Sequence, residues 1–482
     1  MTESPMHTDA IERFLDLVEQ TRYEDLPPDA VDAARVFFLD TVGVAFAGRL
    51  APRRDALLVA AAQWGTVAPE AAGVHVWNTG LRTSAPAAAL LNGYQCHALE
   101  YDCVYEPGVV LPTPPFFAAL MAHAELLAGQ GRAPTGKQLL TAFTVALEVS
   151  CTLAAASRGA MFFFRPSTTG VFSALAAIAS LSPLPRTQLR HAFGIAYSQM
   201  CGPMQAHEEG SMMLAMQMGF AARNALQAYD MAAVGITAPV ELLEGRFGFF
   251  NNFERDNALP EELGRIGTPW KVTQLSHKPF PSGRVTHGTV HALRRLQAEL
   301  QLDRATLTDR IRRITVRMPP LGMRLVGRPM VPNPAPNYAR LCVPFVAASE
   351  LLHGSVDPSS FAPERLASAA IEALARKVEV IEVPHPNPNA FYPQQLTLEL
   401  ADGRRVEREI PHAWGHPSMP LTPQEREDKF RLAWRLTRGR APEGEAAMEG
   451  MIDWLRTLEQ AADCGPLLAL LGSEAPRAHG TA

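Results

Sequence analysis

The stretch Gln394-Gln395-Leu396-Thr397-Leu398-Glu399-Leu400-Ala401-Asp402-Gly403-Arg404-Arg405-Val406-Glu407-Arg408-Glu409-Ile410 decides the fold class of this chain. Leu396, Leu398 and Leu400 alternate with polar residues, as in a half-buried strand, and Asp402-Gly403 supplies the left-handed residues that a tight hairpin turn needs. Further period-two segments lie upstream, at Ile314, Val316 and Met318 and again from Val378 to Val383. Helices read from Gly283 to Leu300 and from Ala339 to His353 are expected to pack on one face of the resulting sheet. This α+β texture begins only after Trp270. From Asp9 to about Ala233 the apolar residues recur at helical spacing, and Ala, Leu and Met dominate over β-branched types.

The first helix reads from Ile11 to about Thr21, with Ile11, Phe14, Leu15 and Val18 on one face and Asp9 or Thr8 as its N-cap. Others follow over approximately 29–47, 53–63, 84–100, 116–127, 136–156, 167–180, 185–197 and 212–232, many bounded by Pro or Gly. A Pro-rich link, Pro411 to Pro423, leads back to helices at Thr422 to Thr437 and Glu443 to Ala461. The pattern predicts a mainly α protein: a large all-helical domain, residues 1–268 completed by 413–482, with an inserted smaller α+β lid domain over 269–412.

The 482 residues carry 44 Lys plus Arg against 49 Asp plus Glu, a net charge of −5, which argues against a dedicated nucleic-acid binder. Hydrophobic residues make up 47%, enough for a sizeable core. Charged residues make up only 19%, below the roughly 25% usual in soluble domains, so much helical surface is expected to be buried against other helices or another subunit, and an oligomer is expected. Met1 to Ala10 lack a signal-peptide pattern, and apolar runs such as Ala142 to Ala156 stop short of the roughly 20 residues that span a bilayer. A cytoplasmic protein without membrane contact is the expectation. The six cysteines are scattered, with no CxxC pair and no metal-ligand spacing, and read as buried free thiols.

The chain lacks GxxxxGK[ST], HExxH and GxSxG, and no GxGxxG follows a strand, so nucleotide, zinc-protease and serine-hydrolase chemistry have no motif to rest on. Three polar clusters remain at helix ends and loops, where rigid scaffolds carry function. His97 to Pro107 holds three acids and two phenols. Phe162-Phe163-Phe164-Arg165-Pro166-Ser167-Thr168-Thr169-Gly170 places a guanidinium beside a helix start, a combination suited to a carboxylate. Ser276-His277-Lys278-Pro279-Phe280-Pro281-Ser282-Gly283-Arg284-Val285-Thr286-His287 sets cations and histidines on a rigid loop at the domain boundary.

His97-Ala98-Leu99-Glu100-Tyr101-Asp102, Phe164 to Gly170, Leu243-Glu244-Gly245 through Phe250, Lys278-Pro279-Phe280-Pro281, Pro344-Phe345 ahead of Leu351-Leu352-His353-Gly354, and Gly415-His416-Pro417 through Thr422 together resemble the MmgE/PrpD family. The resemblance spans nearly the whole chain. The family includes 2-methylcitrate dehydratase, cis-aconitate decarboxylase and iminodisuccinate epimerase. What it implies is a homodimer and a cofactor-independent enzyme, without a metal, acting on carbon next to the carboxylate of a small di- or tricarboxylate. The first motif usually reads HALDFDDTH. Here Glu100 replaces its first Asp, Asp102 is kept, and Cys103-Val104 replaces its Asp-Thr pair. Leu111 stands for a later His, Arg165 for a His before Pro, Leu214 for a Lys with Gln217 for the nearby His, and Phe345 for a Tyr; Lys278 is retained.

Removing a proton next to a carboxylate requires a base and positive groups to receive the developing charge. Lys278 and Arg165 are candidates for the positive groups, Arg284 for a second carboxylate, Tyr105 or His207 for the base, and Asp102 or Glu100 for tuning it. The expected catalytic residues are thus Lys278, Tyr105, Asp102 and His207, with Arg165, Arg284 and Glu100 binding substrate. The first reading is a lyase, either dehydratase or decarboxylase. The second is an epimerase with Lys278 facing Tyr105, and the third is a silent ligand-binding member. Structural competitors stand beside these roles: an ion pair for Arg165, a solvated helix start for His207-Glu208-Glu209, and packing for Phe162 to Phe164.

Overall fold

The computed structural model describes residues 9–64 and 73–474. It is mainly α, with one four-stranded and one two-stranded sheet. Among the described residues, hydrophobic side chains from both ends of the chain share one core: Phe14, Phe38, Phe116 and Phe143 pack in it with Phe430, Trp434, Ile452 and Leu467. The helix Pro28–Ala47 lies against Pro423–Arg438. A buried ion pair joins them, Lys429 Nζ to Asp40 Oδ1 at 2.7 Å, and the same ammonium donates to the Tyr101 carbonyl at 2.8 Å. The first-motif loop is therefore tied to a helix more than 300 residues downstream.

Most helices lie within a few residues of the periodicity, including Gly136–Ala156 and Met213–Ala233. Thr8 lies outside the described residues; Asp9 accepts from Ile11 N at 2.9 Å, and Ala10 occupies the cap position. The helix read over 167–180 is two, Arg165–Thr168 and Gly170–Leu181, meeting at Thr169. His207 does not start the long helix, because Gln205–Glu208 is a separate turn and Gly210, at φ +67°, reverses the chain before Met213. One expectation about membranes is corrected. Gly136–Ala156 is long and apolar enough by composition to cross a bilayer, but it is almost wholly buried and its Glu148 pairs with Lys271 at 3.3 Å, as befits a core helix.

Strands β1 (Val74–His75) and β2 (Arg82–Thr83) form a small antiparallel pair. The larger sheet runs β4 (Val378–Glu382), β3 (Ile311–Met318), β5 (Gln394–Leu400), β6 (Arg405–Ile410), parallel between β3 and β4 and antiparallel elsewhere. The β5–β6 hairpin turns at Gly403, φ +89°, where the left-handed backbone favours glycine. Thr286–Glu299 and Val343–His353 cover this sheet and share a second hydrophobic core with Ile314, Val316, Leu396 and Leu398.

A close helix crossing positions the site. Ala85–His97 and Met213–Ala233 meet at Gly93 and Gly219, where a Cβ on Gly93 would lie 2.9 Å from Gly219 Cα. A Cβ on Gly219 would lie 2.1 Å from the Leu90 carbonyl, so only glycine allows the approach.

Candidate active site

The two cores meet across one cavity. The second core draws Val104, Val109, Met161, Phe164, Leu214 and Met218 from the helical part against Val285, Val326 and Phe391 of the sheet-bearing part. Among the described residues, four that line the cavity carry a polar side chain: Glu100, His207, Lys278 and Arg284. Apolar side chains, among them Val104, Leu111, Phe164, Leu214, Leu325 and Leu341, form most of the remaining wall.

At one wall lies a chain of alternating charge. Lys278 Nζ donates to Glu100 Oε2 at 2.8 Å; Glu100 Oε1 stands 3.4 Å from His97 Nε2; His97 Nδ1 lies 3.0 Å from Asp102 Oδ1. Local backbone builds it. His97 ends its helix, where the dipole favours a cation. Glu100 adopts φ +52°, a strained left-handed conformation of the kind found at functional sites. That turn brings Asp102 back beneath His97, while Leu99 and Tyr101 pack into a small separate cluster with Val44 and Ala433. Burial alone would raise the Glu100 carboxyl, but Lys278 and His97 outweigh it and hold it down to about 2. Burial alone would lower the His97 imidazole, but Asp102 and Glu100 outweigh it and raise it above its ordinary 6.5. His97 is therefore held between two carboxylates that favour its protonated form.

His207 is the neutral counterpart on the same cavity. Burial first, and the Arg328 guanidinium second, lower its imidazole to about 4. Its Nδ1 lies 3.4 Å from Arg328 Nη2, and its buried Nε2 makes no protein hydrogen bond. Arg284 lines the cavity with four of its five N–H donors engaged: Nε to Glu106 Oε1 at 2.7 Å, Nη1 to the carbonyls of His277 and Trp414, and one Nη2 N–H to that of Ala413.

Three predicted residues lie elsewhere. The guanidinium of Arg165 is fully buried and spends its donors on Glu254, at 2.9 and 3.1 Å, on Asn389, and on the carbonyls of Gly108 and Gly159. It holds three segments together and presents nothing to a substrate, although Phe164 and Pro166 on either side line the cavity. Tyr105 is turned away by strand alternation. Val104 bridges Ser276 and faces the cavity, so the next side chain enters the helical core, where its hydroxyl donates to Gln274 Oε1 at 3.3 Å. Burial drives that phenol upward, away from a useful base. Asp102 does not line the cavity and meets it through His97, whose Nδ1 lies 3.0 Å from its Oδ1.

Two residues given no role by sequence reasoning belong to the arrangement. His97 sat inside the first motif, where its distance of five residues from Asp102 was the available signal. Arg340 had none: its Nη1 donates to the carbonyls of Leu99 at 3.2 Å and Pro281 at 3.1 Å, clamping the Glu100 loop to the Lys278 loop. Among the described residues, no group of three His, Cys, Asp or Glu side chains is placed to hold a metal ion.

An all-helical core built from both chain ends, a four-stranded sheet beside it and a Lys–Glu–His–Asp chain between them define the class of protein. The MmgE/PrpD N-terminal domain model matches residues 12–262 and the C-terminal domain model matches residues 280–455, and the chain belongs to this family. It is similar to the cis-aconitate decarboxylase of Homo sapiens, 27% identical with 96% of this chain and 95% of that protein covered. The corresponding enzymes of Mus musculus and Aspergillus terreus are each 26% identical, covering 95% and 93% of this chain and 93% of each relative.

Proposed function

We propose that this protein is a lyase that removes carbon dioxide or water from a carboxylate substrate, with proton transfer at the carbon beside the carboxylate. The observation that carries the reading is the pairing, on one cavity, of an acidic chain ending in Lys278 with a neutral His207 whose Nε2 has no protein partner. Family membership and decarboxylases among the relatives support the reaction class.

The substrate carboxylate docks on Lys278, whose ammonium gives one of its three N–H donors to Glu100. For loss of water, His207 Nε2 takes the proton from the adjacent carbon, and the hydroxyl leaves with a proton from the Lys278 wall. For loss of carbon dioxide, the carbon–carbon pair stays on the remaining carbon, which is protonated from that same wall. In either case Glu100 lies between Lys278 and His97, so a proton lost by the ammonium is replaceable from the imidazolium. The sheet-bearing part acts as a lid over this wall, and the chain works as a homodimer.

Turnover of a panel of unsaturated and hydroxy acids in heavy water tests the reading. Released carbon dioxide or a new alkene absorbance, with one solvent deuterium where protonation follows, supports it. Deuterium entering intact substrate without net loss supports an epimerase using His207 and Lys278, since Tyr105 does not line the cavity. No exchange and no loss with any acid that binds rejects both.

A further inference from the structure

The sequence resemblance implies a di- or tricarboxylate, but the cavity wall has a different character. Of the two lining cations, Lys278 has the more donors to spare, two of its three N–H groups, and its charge is balanced by Glu100 at 2.8 Å. Arg284 is balanced by Glu106 at 2.7 Å and gives three further hydrogen bonds to carbonyls. Arg165, which sequence reasoning assigned to a substrate carboxylate, is committed to Glu254 and lies outside the lining. Arg328 and Arg340 stand behind His207 and Glu100, and neither lines the cavity.

The positions where the resemblance expects Thr, His and Lys are Val104, Leu111 and Leu214, and all three face this one cavity. The polar groups a second carboxylate would need have thus become apolar wall at each position. An ionised carboxylate set against such a wall loses its hydration without a partner, whereas an alkyl or aryl group gains from the same contact. His207, 4% exposed and with Nε2 unpartnered, is a neutral group in the lining suited to one hydrogen bond or one proton.

We propose that the cavity takes a monocarboxylate bearing an apolar substituent, with the carboxylate on Lys278 and the substituent against Val104, Leu111, Leu214 and Leu325, and that it rejects tricarboxylates. This inference rests on the cavity being the substrate site of the lyase reading above. It narrows the substrate class of that site and leaves the bond that breaks open.

Binding, measured separately from turnover, tests it. Calorimetric titration of the full-length protein uses straight-chain monocarboxylates of increasing length, the matching primary amides, and citrate and cis-aconitate as tricarboxylate probes. Affinity is expected to rise roughly fourfold per added methylene until the cavity is filled. The amides should bind at least about tenfold more weakly than the acids, because an ammonium bonds an ionised oxygen more strongly than a neutral one. The tricarboxylates should bind roughly a hundredfold more weakly than the best monocarboxylate.

Met204 lines the cavity and is only partly buried, so Met204→Lys can add a cation while its stem stays on apolar surface. That variant should shift the preference toward tricarboxylates by roughly tenfold. Tricarboxylates binding wild type as tightly as the best monocarboxylate, an affinity flat with chain length, or no binding by any probe each overturn the inference. Chain-length-dependent binding together with no exchange and no loss in the panel of unsaturated and hydroxy acids leaves it standing and rejects the lyase reading. Turnover of a tricarboxylate with micromolar affinity does the reverse.

Discussion

Glu100→Gln isolates the group on which the acidic chain depends. It keeps the shape and the hydrogen-bonding oxygen, but removes the charge between Lys278 and His97, both of which are 1% exposed. Two routes give the magnitude. Breaking a buried ion pair by neutralising one partner typically costs about 3–5 kcal/mol. Independently, a carboxyl held at about 2 rather than 4.5 contributes about 3 kcal/mol of stability at neutral pH. The Glu100 side chain is 13% exposed, so the lower end is the better expectation, about 3 kcal/mol.

The sign follows from the direction of the shift. The folded-state value lies below the unfolded one, so the contribution is fully present above pH 4.5 and is lost as pH falls toward 2. Urea unfolding followed by tryptophan fluorescence should show Glu100→Gln about 3 kcal/mol less stable near neutral pH, with the gap to wild type closing as the medium is acidified through that window. A neutral-pH gap below about 0.5 kcal/mol, or one that does not narrow with acidification, would show that Glu100 does not hold Lys278 and His97 together by its charge.

Other perturbations separate chemistry from support. Lys278→Ala should reduce kcat by roughly 10²–10⁴-fold in a steady-state assay on the identified substrate. His207→Asn should lower kcat with little change in urea midpoint, since Nε2 has no protein partner to lose. The wild-type pH–rate profile should fall below about 4, where His207 gains a proton, and again on the alkaline side above 6.5, where His97 loses its own. Arg165→Lys should cost about 3 kcal/mol of stability with KM unchanged, because the fork to Glu254 cannot be made by an ammonium. Tyr105→Phe removes one hydrogen bond to Gln274, so it should cost about 1 kcal/mol and leave kcat within twofold.

Local signals carried far along this chain because helices and hairpins are governed by near neighbours. Val378 to Val383 and the Asp402-Gly403 turn read correctly because side-chain alternation and a left-handed glycine are properties of a few adjacent residues. Of the seven site residues, Glu100, His207, Lys278 and Arg284 face the cavity. Their motifs lie in loops that only a crossing such as Gly93 on Gly219 brings together, and no local pattern encodes that crossing.

Helical periodicity, the hairpin signal and the order of the motifs already specify the mainly helical class, the family, and the loops from which polar groups reach the site. What each charge faces is set by the folded chain. Arg165 meets Glu254, 89 residues later, and Lys278 meets Glu100, 178 residues earlier. The same cation that attracts a substrate carboxylate when unpaired is neutralised when a glutamate is folded against it. Coulomb attraction depends on separation in space, and chain folding sets that separation regardless of distance along the sequence.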